Sequence, residues 1–171
     1  MKFILGFLLV LLCFTSCTTP KVFTDYASDV DFDEYNSFAF YAIENSGLAR
    51  LDEDRIYQTL QDTLSSKGFN EKLIPDFKIN FYAEVFNGTS NSNFGIGIGG
   101  YNGAIGGSIS PQNTKRNIAL TIEFADGLTN NLFWQGVVEA KFDENMKGKE
   151  REEFLRMLVG KVLEKYPPEK K

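Results

Sequence analysis

The chain has 171 residues, with 18 basic and 23 acidic side chains, so its formal net charge is −5. Charges of both signs are mixed along its length, and the absence of a dominant basic surface argues against nucleic acid as a partner. Histidine does not occur, and cysteine occurs twice. This composition excludes zinc sites built from Cys or His ligands and catalytic arrangements that require histidine. We therefore expect a non-enzyme with no catalytic residues, no metal and no cofactor.

The N-terminus resembles the signal peptide of a bacterial lipoprotein. Lys2 supplies positive charge, and the apolar stretch 3–13 is too short to span a bilayer as a helix. Residues 14–17 read FTSC, which is typical of a lipobox because a small residue precedes a thiol that can accept diacylglycerol. We predict residues 1–16 as the signal peptide and Cys17 as the lipidated first residue of the mature protein. The alternative, an ordinary secretion signal, lacks an A-x-A-like cleavage site.

The residues after the cysteine indicate a location. Residues 17–24 are predicted as the lipidated cysteine and a short tether. Thr18 stands where an aspartate would favour retention in the inner membrane of many Gram-negative bacteria, and no acidic run follows that would favour the cell surface. We expect an outer-membrane lipoprotein that faces the periplasm. Palmitate and other acyl chains hold such an anchor firmly, because each buried methylene contributes about 0.8 kcal/mol.

The pattern of the mature chain begins with two short strands and a helix. Residues 22–26 and the aromatic segment 38–41 predict strands. Asp52 is expected to be the N-cap of a helix that ends at Gly68 in a Schellman motif closed by Phe69. This helix has one apolar stripe, formed by residues four apart along the chain: Ile56, Leu60 and Leu64.

Three longer segments alternate between apolar and polar residues, as strands with one buried face do. They cover residues 77–85, 118–124 and 132–142, and a hairpin loop at 126–131 joins the last two. A second amphipathic helix is predicted over residues 149–166.

These elements predict an α+β fold. Each helix must bury its apolar stripe, and each of the long strands has one apolar face. Packing both helices on one face of a mainly antiparallel sheet satisfies both requirements. We therefore predict a two-layer sandwich that forms a single domain over residues 25–168, with a glycine-rich loop at about 88–113.

Short motifs in this domain are similar to those of lipoproteins of the domain of unknown function 4136 family. They span about residues 22–168 in the family's order: DFDEYNSFAF at 31–40, KGF at 67–69, PDF at 75–77, FWQG at 133–136 and YPP at 166–168. Members more often have YKTFAW where this chain has YNSFAF at 35–40. The resemblance implies an envelope location and the fold. It implies no activity, because the family has none established.

The glycine-rich stretch is the strongest candidate for contact with a partner. Its glycines formally satisfy G-x-G-x-x-G, but no helix follows that could bind a phosphate at its N-terminus. Large side chains alternate with these glycines, which is unusual for a solvated linker: Ile96, Ile98, Tyr101, Ile105 and Ile109. A long loop or a hairpin that turns at Asn102-Gly103 is one interpretation of the stretch. The functional interpretation is that Ile96, Ile98, Tyr101 and Ile105 contact a partner or a membrane surface.

Acidic residues offer weaker candidates. Asp29, Asp31 and Asp33 alternate as calcium ligands do, but the glycine and glutamate of an EF-hand loop do not follow, so we interpret them as solvated turn residues. Asp76 and Asp126 lie at predicted strand ends, where turn chemistry explains them.

The expected function is a binding or scaffolding module anchored in the envelope, with an envelope protein or a glycan as partner. Two alternatives stay open. A carrier of small ligands requires an apolar pocket between the sheet and the helices. A carboxylate-based glycan hydrolase requires two acids that face each other at about 5–10 Å. Trp134 alternates with core residues, so we interpret it as packing rather than as a platform for sugars.

Overall fold

The structure is a computed structural model and describes residues 19–87 and 115–169. The predicted signal peptide and Cys17 lie outside the described residues, and so does the predicted partner-contact loop with Ile96, Ile98, Tyr101 and Ile105. These predictions are therefore not tested by the fold.

The described residues contain six strands in a single mixed sheet. Their bounds are Lys21–Tyr26 (β1), Ser37–Phe40 (β2), Asn70–Glu71 (β3), Phe77–Phe86 (β4), Lys115–Asp126 (β5) and Leu132–Asp143 (β6). The strand order is β1-β6-β5-β4-β2-β3. Strands β4, β5, β6 and β1 pair antiparallel, whereas β2 runs parallel to β4 and β3 runs parallel to β2. The prediction of an α+β fold with a mainly antiparallel sheet is confirmed.

Two α-helices occur in the same ranges, Arg50–Ser66 (α1) and Gly148–Leu163 (α2). They contact each other, and α2 packs on β6, β5 and β1. Their apolar stripes are buried against one face of the sheet, as predicted. Helix α2 ends earlier than the predicted residue 166, because a turn after Leu163 directs Tyr166 into the core. Pro167 also disfavours a helical conformation at Tyr166.

The two ends of α1 show where local rules succeed and fail. At the C-terminus, Phe69 N donates to Leu64 O (3.1 Å) and Gly68 N donates to Ser65 O (3.0 Å). Gly68 has a φ of 95°, so the predicted Schellman motif is confirmed. At the N-terminus, the prediction that Asp52 is the N-cap is wrong.

The N-cap of α1 is Ala49, whose carbonyl accepts a hydrogen bond from Asp52 N (2.8 Å). Asp52 is therefore already inside the first helical turn. Its side chain is only 3% exposed and is bound by the guanidinium groups of Arg55 and Arg151. The carboxylate is engaged with side chains and does not cap the backbone.

A glycine allows α2 to approach the sheet closely. A Cβ atom at Gly136 would collide with Val162 Cγ1 and would lie 2.7 Å from the Trp134 ring. Both neighbours are core side chains with exposures of 0% and 1%. The glycine of the FWQG segment is thus required by packing, and the interpretation of Trp134 as a core residue is confirmed.

Candidate binding surfaces

We call the face of the sheet that points away from the helices the open face. Residues opposite each other in antiparallel strands share a face, so the register of the sheet gives the rows of side chains that cross it. The central row contains Tyr82, Thr121, Val137 and Phe23. Phe23 is 49% exposed, which is unusual for an aromatic residue within a strand. In the described part of the chain, both helices pack on the other face.

A carboxylate lies at the centre of the next row on the open face. Glu123 Oε2 accepts a hydrogen bond from Asn80 Nδ2 (3.1 Å), and Oε1 accepts from Gln135 Nε2 (3.0 Å) and Tyr82 OH (3.3 Å). Burial raises the pKa of Tyr82, and the charge of Glu123 raises it further. The phenol therefore stays a neutral donor, and the three donors hold the Glu123 carboxylate in one position.

A shallow groove of about 420 Å³ runs beside this carboxylate. Its lining combines amide, carboxylate, phenol and aliphatic groups: Tyr41, Ala42, Glu44, Asn80, Glu123, Ala125, Asn130 and Leu132. At its rim, Asn130 Oδ1 accepts hydrogen bonds from Tyr41 OH and Lys78 Nζ, both at 2.9 Å. Such a lining suits a ligand with hydroxyl groups and apolar edges, as a sugar has.

Two loops meet at one end of the sheet. The loop before β4 and the loop between β5 and β6 are joined by a hydrogen bond from Gly127 N to Asp76 O (2.8 Å). Each loop presents large aliphatic side chains to solvent. Leu73 is 103% exposed, Ile74 is 83% exposed and Leu128 is 86% exposed. We call these three residues the aliphatic tip.

Asp76 fixes the loop before β4. Its Oδ2 atom accepts hydrogen bonds from Ser37 Oγ (2.7 Å), Ser37 N (2.8 Å) and Asn36 N (3.1 Å). The Ser37 hydroxyl is the main cause that holds the pKa of this carboxyl below its ordinary value. Asp76 is thus an ionised structural residue, but its partners lie at β2 and not in its own turn, so turn chemistry does not explain it.

Asp126 fixes the loop between β5 and β6 through local bonds. Its Oδ1 atom accepts hydrogen bonds from Thr129 N (2.7 Å), Thr129 Oγ1 (2.8 Å) and Leu128 N (3.1 Å), and Oδ2 accepts from Tyr35 OH (3.3 Å). Bonds from the Thr129 backbone and side chain lower the pKa of Asp126. The turn interpretation is confirmed for this residue.

The acidic residues before β2 also serve local structure. Asp31 Oδ1 accepts a hydrogen bond from Asp33 N (3.1 Å) and caps a short 3₁₀ turn at Phe32–Glu34. Within residues 19–87 and 115–169, no three acidic side chains come together as a metal site would require. Neither helix in these ranges has the length and hydropathy needed to cross a bilayer.

A family model described as "Domain of unknown function (DUF4136)" matches residues 22–168. The chain belongs to this family. The resemblance carried by the sequence motifs is thereby confirmed for the DUF4136 domain, whereas lipid attachment and envelope location stay predictions. No curated protein matches the chain.

Solved structures share the fold of this DUF4136 domain. A PDZ domain protein from Parabacteroides distasonis is similar over 94% of this chain, with 19% identity and a TM-score of 0.56. The chain spans only 39% of that protein's length. The PelC dodecamer from Paraburkholderia phytofirmans is similar over 85% of this chain and 96% of its own, with 10% identity and a TM-score of 0.52. A single-residue variant of PelC matches with 10% identity over 85% of this chain and 95% of its own, at a TM-score of 0.53.

Sequence reasoning missed both surfaces of the DUF4136 domain, although each had a signal. Alternation assigns Asn80, Glu123 and Gln135 to the polar side of their strands, but only the register shows that they meet. The pair Leu73-Ile74 lies between a predicted helix and a predicted strand, and two adjacent aliphatic residues in a loop are a sign of an exposed contact site.

Proposed function

We propose that this DUF4136 domain is a non-enzymatic binding or scaffolding module of the bacterial envelope. In this proposal, lipid on Cys17 anchors it in the outer membrane, and the domain faces the periplasm. The observation that carries the binding function is the open face. Strands β4, β5, β6 and β1 present a fixed polar network, a groove and an exposed phenylalanine on this face. The described helices leave the face uncovered.

The direction of β1 supports an orientation relative to the membrane. Lys21 pairs with Glu139, whereas Tyr26 pairs with Trp134, near the hairpin loop between β5 and β6. The tether from Cys17 to Lys21 spans at most about 14 Å. The end of the sheet that carries Lys21 would then lie closest to the membrane, and the aliphatic tip would lie at the other end.

The two rival functions receive no support from the described residues. A carrier needs an internal apolar pocket, but packed side chains with 0% exposure, such as Phe38, Leu60 and Leu120, fill the space between sheet and helices. A glycan hydrolase needs a general acid with a raised pKa. The groove contains two acids, Glu44 and Glu123, but side-chain donors already occupy both oxygens of Glu123.

Replacing Cys17 with alanine tests the anchor. We expect the variant to lose incorporation of labelled palmitate and to move from the membrane fraction to the soluble fraction, because the thioether cannot form. The measurement is fractionation of intact cells with metabolic palmitate labelling, and Cys13→Ala, which changes the other cysteine, is the matched control. A Cys17→Ala protein that stays in the membrane would contradict the lipid anchor.

Crosslinking in intact cells tests the binding function. We expect the tagged wild-type protein to retain an envelope component through stringent washing, and we expect a mislocalised Cys17→Ala protein to retain less of it. Digestion with a protease or with glycan-degrading enzymes then tells whether the component is a protein or a glycan. If the wild-type protein retains only the components that an unrelated lipoprotein also retains, the result would argue against a scaffold.

A further inference from the structure

The aliphatic tip is the most exposed apolar feature of the described residues. Isolated apolar residues on a surface are normal, but Leu73, Ile74 and Leu128 are each more than 80% exposed and belong to two loops that touch. Three such side chains on two touching loops are a candidate contact surface, because soluble proteins rarely concentrate exposed large apolar residues in one place.

The loops that carry the tip are held rigidly. A Cβ atom at Gly127 would collide with Pro75 O and would lie 3.0 Å from Asp76 O, so the two loop backbones are in direct contact. Asp126 binds the backbone of Leu128 at 3.1 Å. The tip is therefore preorganised, and a partner that binds it does not have to order these loops first. Burying an exposed leucine side chain in a partner's pocket contributes about 1.5–3 kcal/mol.

The aliphatic tip lies at the end of the sheet opposite the tether. If the proposed lipid anchor holds, a partner of the tip therefore lies on the side away from the membrane. Strand β6 begins at Leu132, beside the hairpin loop, and reaches Glu139 seven positions later. Glu139 pairs with Lys21, the first residue of β1. At about 3.4 Å per residue, this distance is roughly 24 Å. The tip thus points away from the membrane that holds the lipid when the sheet stands upright on its tether.

The surroundings of the tip are acidic. Tyr35 OH donates to Asp126 Oδ2 (3.3 Å) and Asn36 N donates to Asp76 Oδ2 (3.1 Å), so the segment just before them lies beside both loops. That segment, residues 29–34, has four acidic side chains and no basic one. We call it the acidic turn. Lys72 is close enough to Asp76 to lower its pKa, and their charges offset each other. Lys78, whose Nζ binds Asn130 of the hairpin loop, is a further cation, and the acidic turn together with Asp126 outweighs it.

This charge selects among the candidate occupants. The acidic turn repels the anionic head groups of a membrane, and it repels the acidic turn of a second copy docked tip to tip. It attracts a partner with basic residues around its binding pocket. We propose that the aliphatic tip is the docking site for another envelope protein, which receives the tip in an apolar pocket bordered by Lys or Arg side chains.

Site-specific photocrosslinking in cells locates the contact. Benzoylphenylalanine is introduced at Leu73, Leu128 or Leu51 of the full chain. Leu51 is the matched control, because it is 68% exposed but lies on α1. We expect positions 73 and 128 to crosslink to the same protein and position 51 not to crosslink to it. Crosslinks from the tip to lipid, to a second copy, or to nothing would overturn the proposal.

Affinity measurements with the purified captured protein and the full-length lipoprotein then test the energetics. Leu73→Ser combined with Leu128→Ser is expected to weaken binding at least 30-fold, because two apolar anchors are lost. Leu51→Ser is expected to change the affinity less than twofold. Glu34→Lys is expected to weaken binding several-fold at low salt, with a smaller effect at high salt.

Folding does not confound these variants, because the substituted side chains are exposed and their removal is expected to leave the thermal midpoint unchanged. An affinity that is unaffected by the double substitution overturns the tip proposal. If the captured partner still binds in that case, the scaffolding function stands. If Cys17→Ala stays membrane-bound, the anchor fails, and the affinity measurements decide the tip proposal separately.

Discussion

Replacing Phe77 with alanine is expected to lower the free energy of unfolding by about 4 kcal/mol, within the range for large aromatic core residues. Phe77 is 0% exposed and lies where β4 leaves the loop braced by Asp76. Its ring packs against aromatic rings with centroids 4.9–6.2 Å away: Tyr35, Phe38, Phe69, Phe124, Phe133 and Tyr166. These rings come from several elements, so they cannot all move to fill the cavity.

Chemical denaturation followed by circular dichroism measures this loss. Phe77→Leu conserves most of the volume and is expected to cost less than about 1.5 kcal/mol. Phe23→Ala is the matched control on the open face, where the side chain is 49% exposed, and it is expected to cost less than about 1 kcal/mol. If Phe77→Ala cost no more than Phe23→Ala, the aromatic cluster would not be the centre of the core.

The same cluster explains the motifs that are shared with the DUF4136 family. Phe77 and Trp134 belong to the PDF and FWQG segments, and Tyr166 belongs to the YPP segment. Their rings meet around Phe124 at centroid distances of 4.6–4.9 Å. The aromatic residues of these motifs therefore serve packing, whereas Gln135 of the FWQG segment belongs to the polar network of the open face.

Two polar atoms inside this cluster have no partner among the described residues, Trp134 Nε1 and Tyr166 OH. Burial raises the pKa of Tyr166, so the phenol stays protonated at any physiological pH. No pattern in the sequence predicts that these two atoms lack a hydrogen-bond partner, because the aromatic residues around them are also typical of an ordinary core.

Alternation predicted the strands because a period of two residues directly reports which face of a sheet is buried. It placed β4, β5 and β6 within three residues of their observed ends, and it separated the polar side chains of the open face from the core. The hairpin between β5 and β6 followed from its short loop, since antiparallel neighbours need only a few connecting residues.

The position of β2 could not be predicted in this way. Its four residues are too few to show a period, and it pairs in parallel with β4 rather than with the preceding strand β1. Parallel pairing depends on a crossover, here through α1, and on contacts far apart in the sequence. The two-residue strand β3 has no local signal at all. The Glu123 network depends on the register of three strands, which is also a tertiary property.

Asp52 shows the same limit at a single residue. Local rules favour an aspartate as a helix N-cap. The residue that binds it most closely, Arg151, lies 99 positions away on α2. A tertiary ion pair therefore overrode the local preference, and the N-cap lies three residues earlier, at Ala49.

Replacing Asp52 with asparagine is expected to lower the free energy of unfolding by about 3 kcal/mol at neutral pH. The carboxylate accepts from Arg151 Nη2 (2.6 Å) and Arg55 Nη1 (2.7 Å), so its loss leaves two partly buried guanidinium groups without a counter-charge. Removing one partner of a buried ion pair costs about 3–5 kcal/mol, and the partial exposure of both arginines places the effect at the lower end. The measurement is denaturant unfolding at pH 7.

Glu152→Gln is the matched control, because Glu152 and Arg156 form a comparably short pair (2.9 Å) whose side chains are 46% and 64% exposed. Exposed pairs contribute about 0.5 kcal/mol or less, so this variant is expected to unfold like the wild type. Equal losses for Asp52→Asn and Glu152→Gln would contradict the structural role of the Asp52 pair.

The dependence on pH separates lost charge from lost packing. Burial raises the pKa of Asp52, but hydrogen bonds from Arg151 and Arg55 outweigh it, so the folded-state pKa lies below the unfolded-state value. A lowered folded-state pKa stabilises the folded protein at pH values above the unfolded-state pKa, which is about 3.9. This stabilisation is lost as the pH falls through the folded-state pKa. The difference between wild type and Asp52→Asn is therefore expected to be constant near pH 7 and to shrink below about pH 4. A difference that persists unchanged in acid would mean that Asp52 ties α1 to α2 through packing and not through its charge.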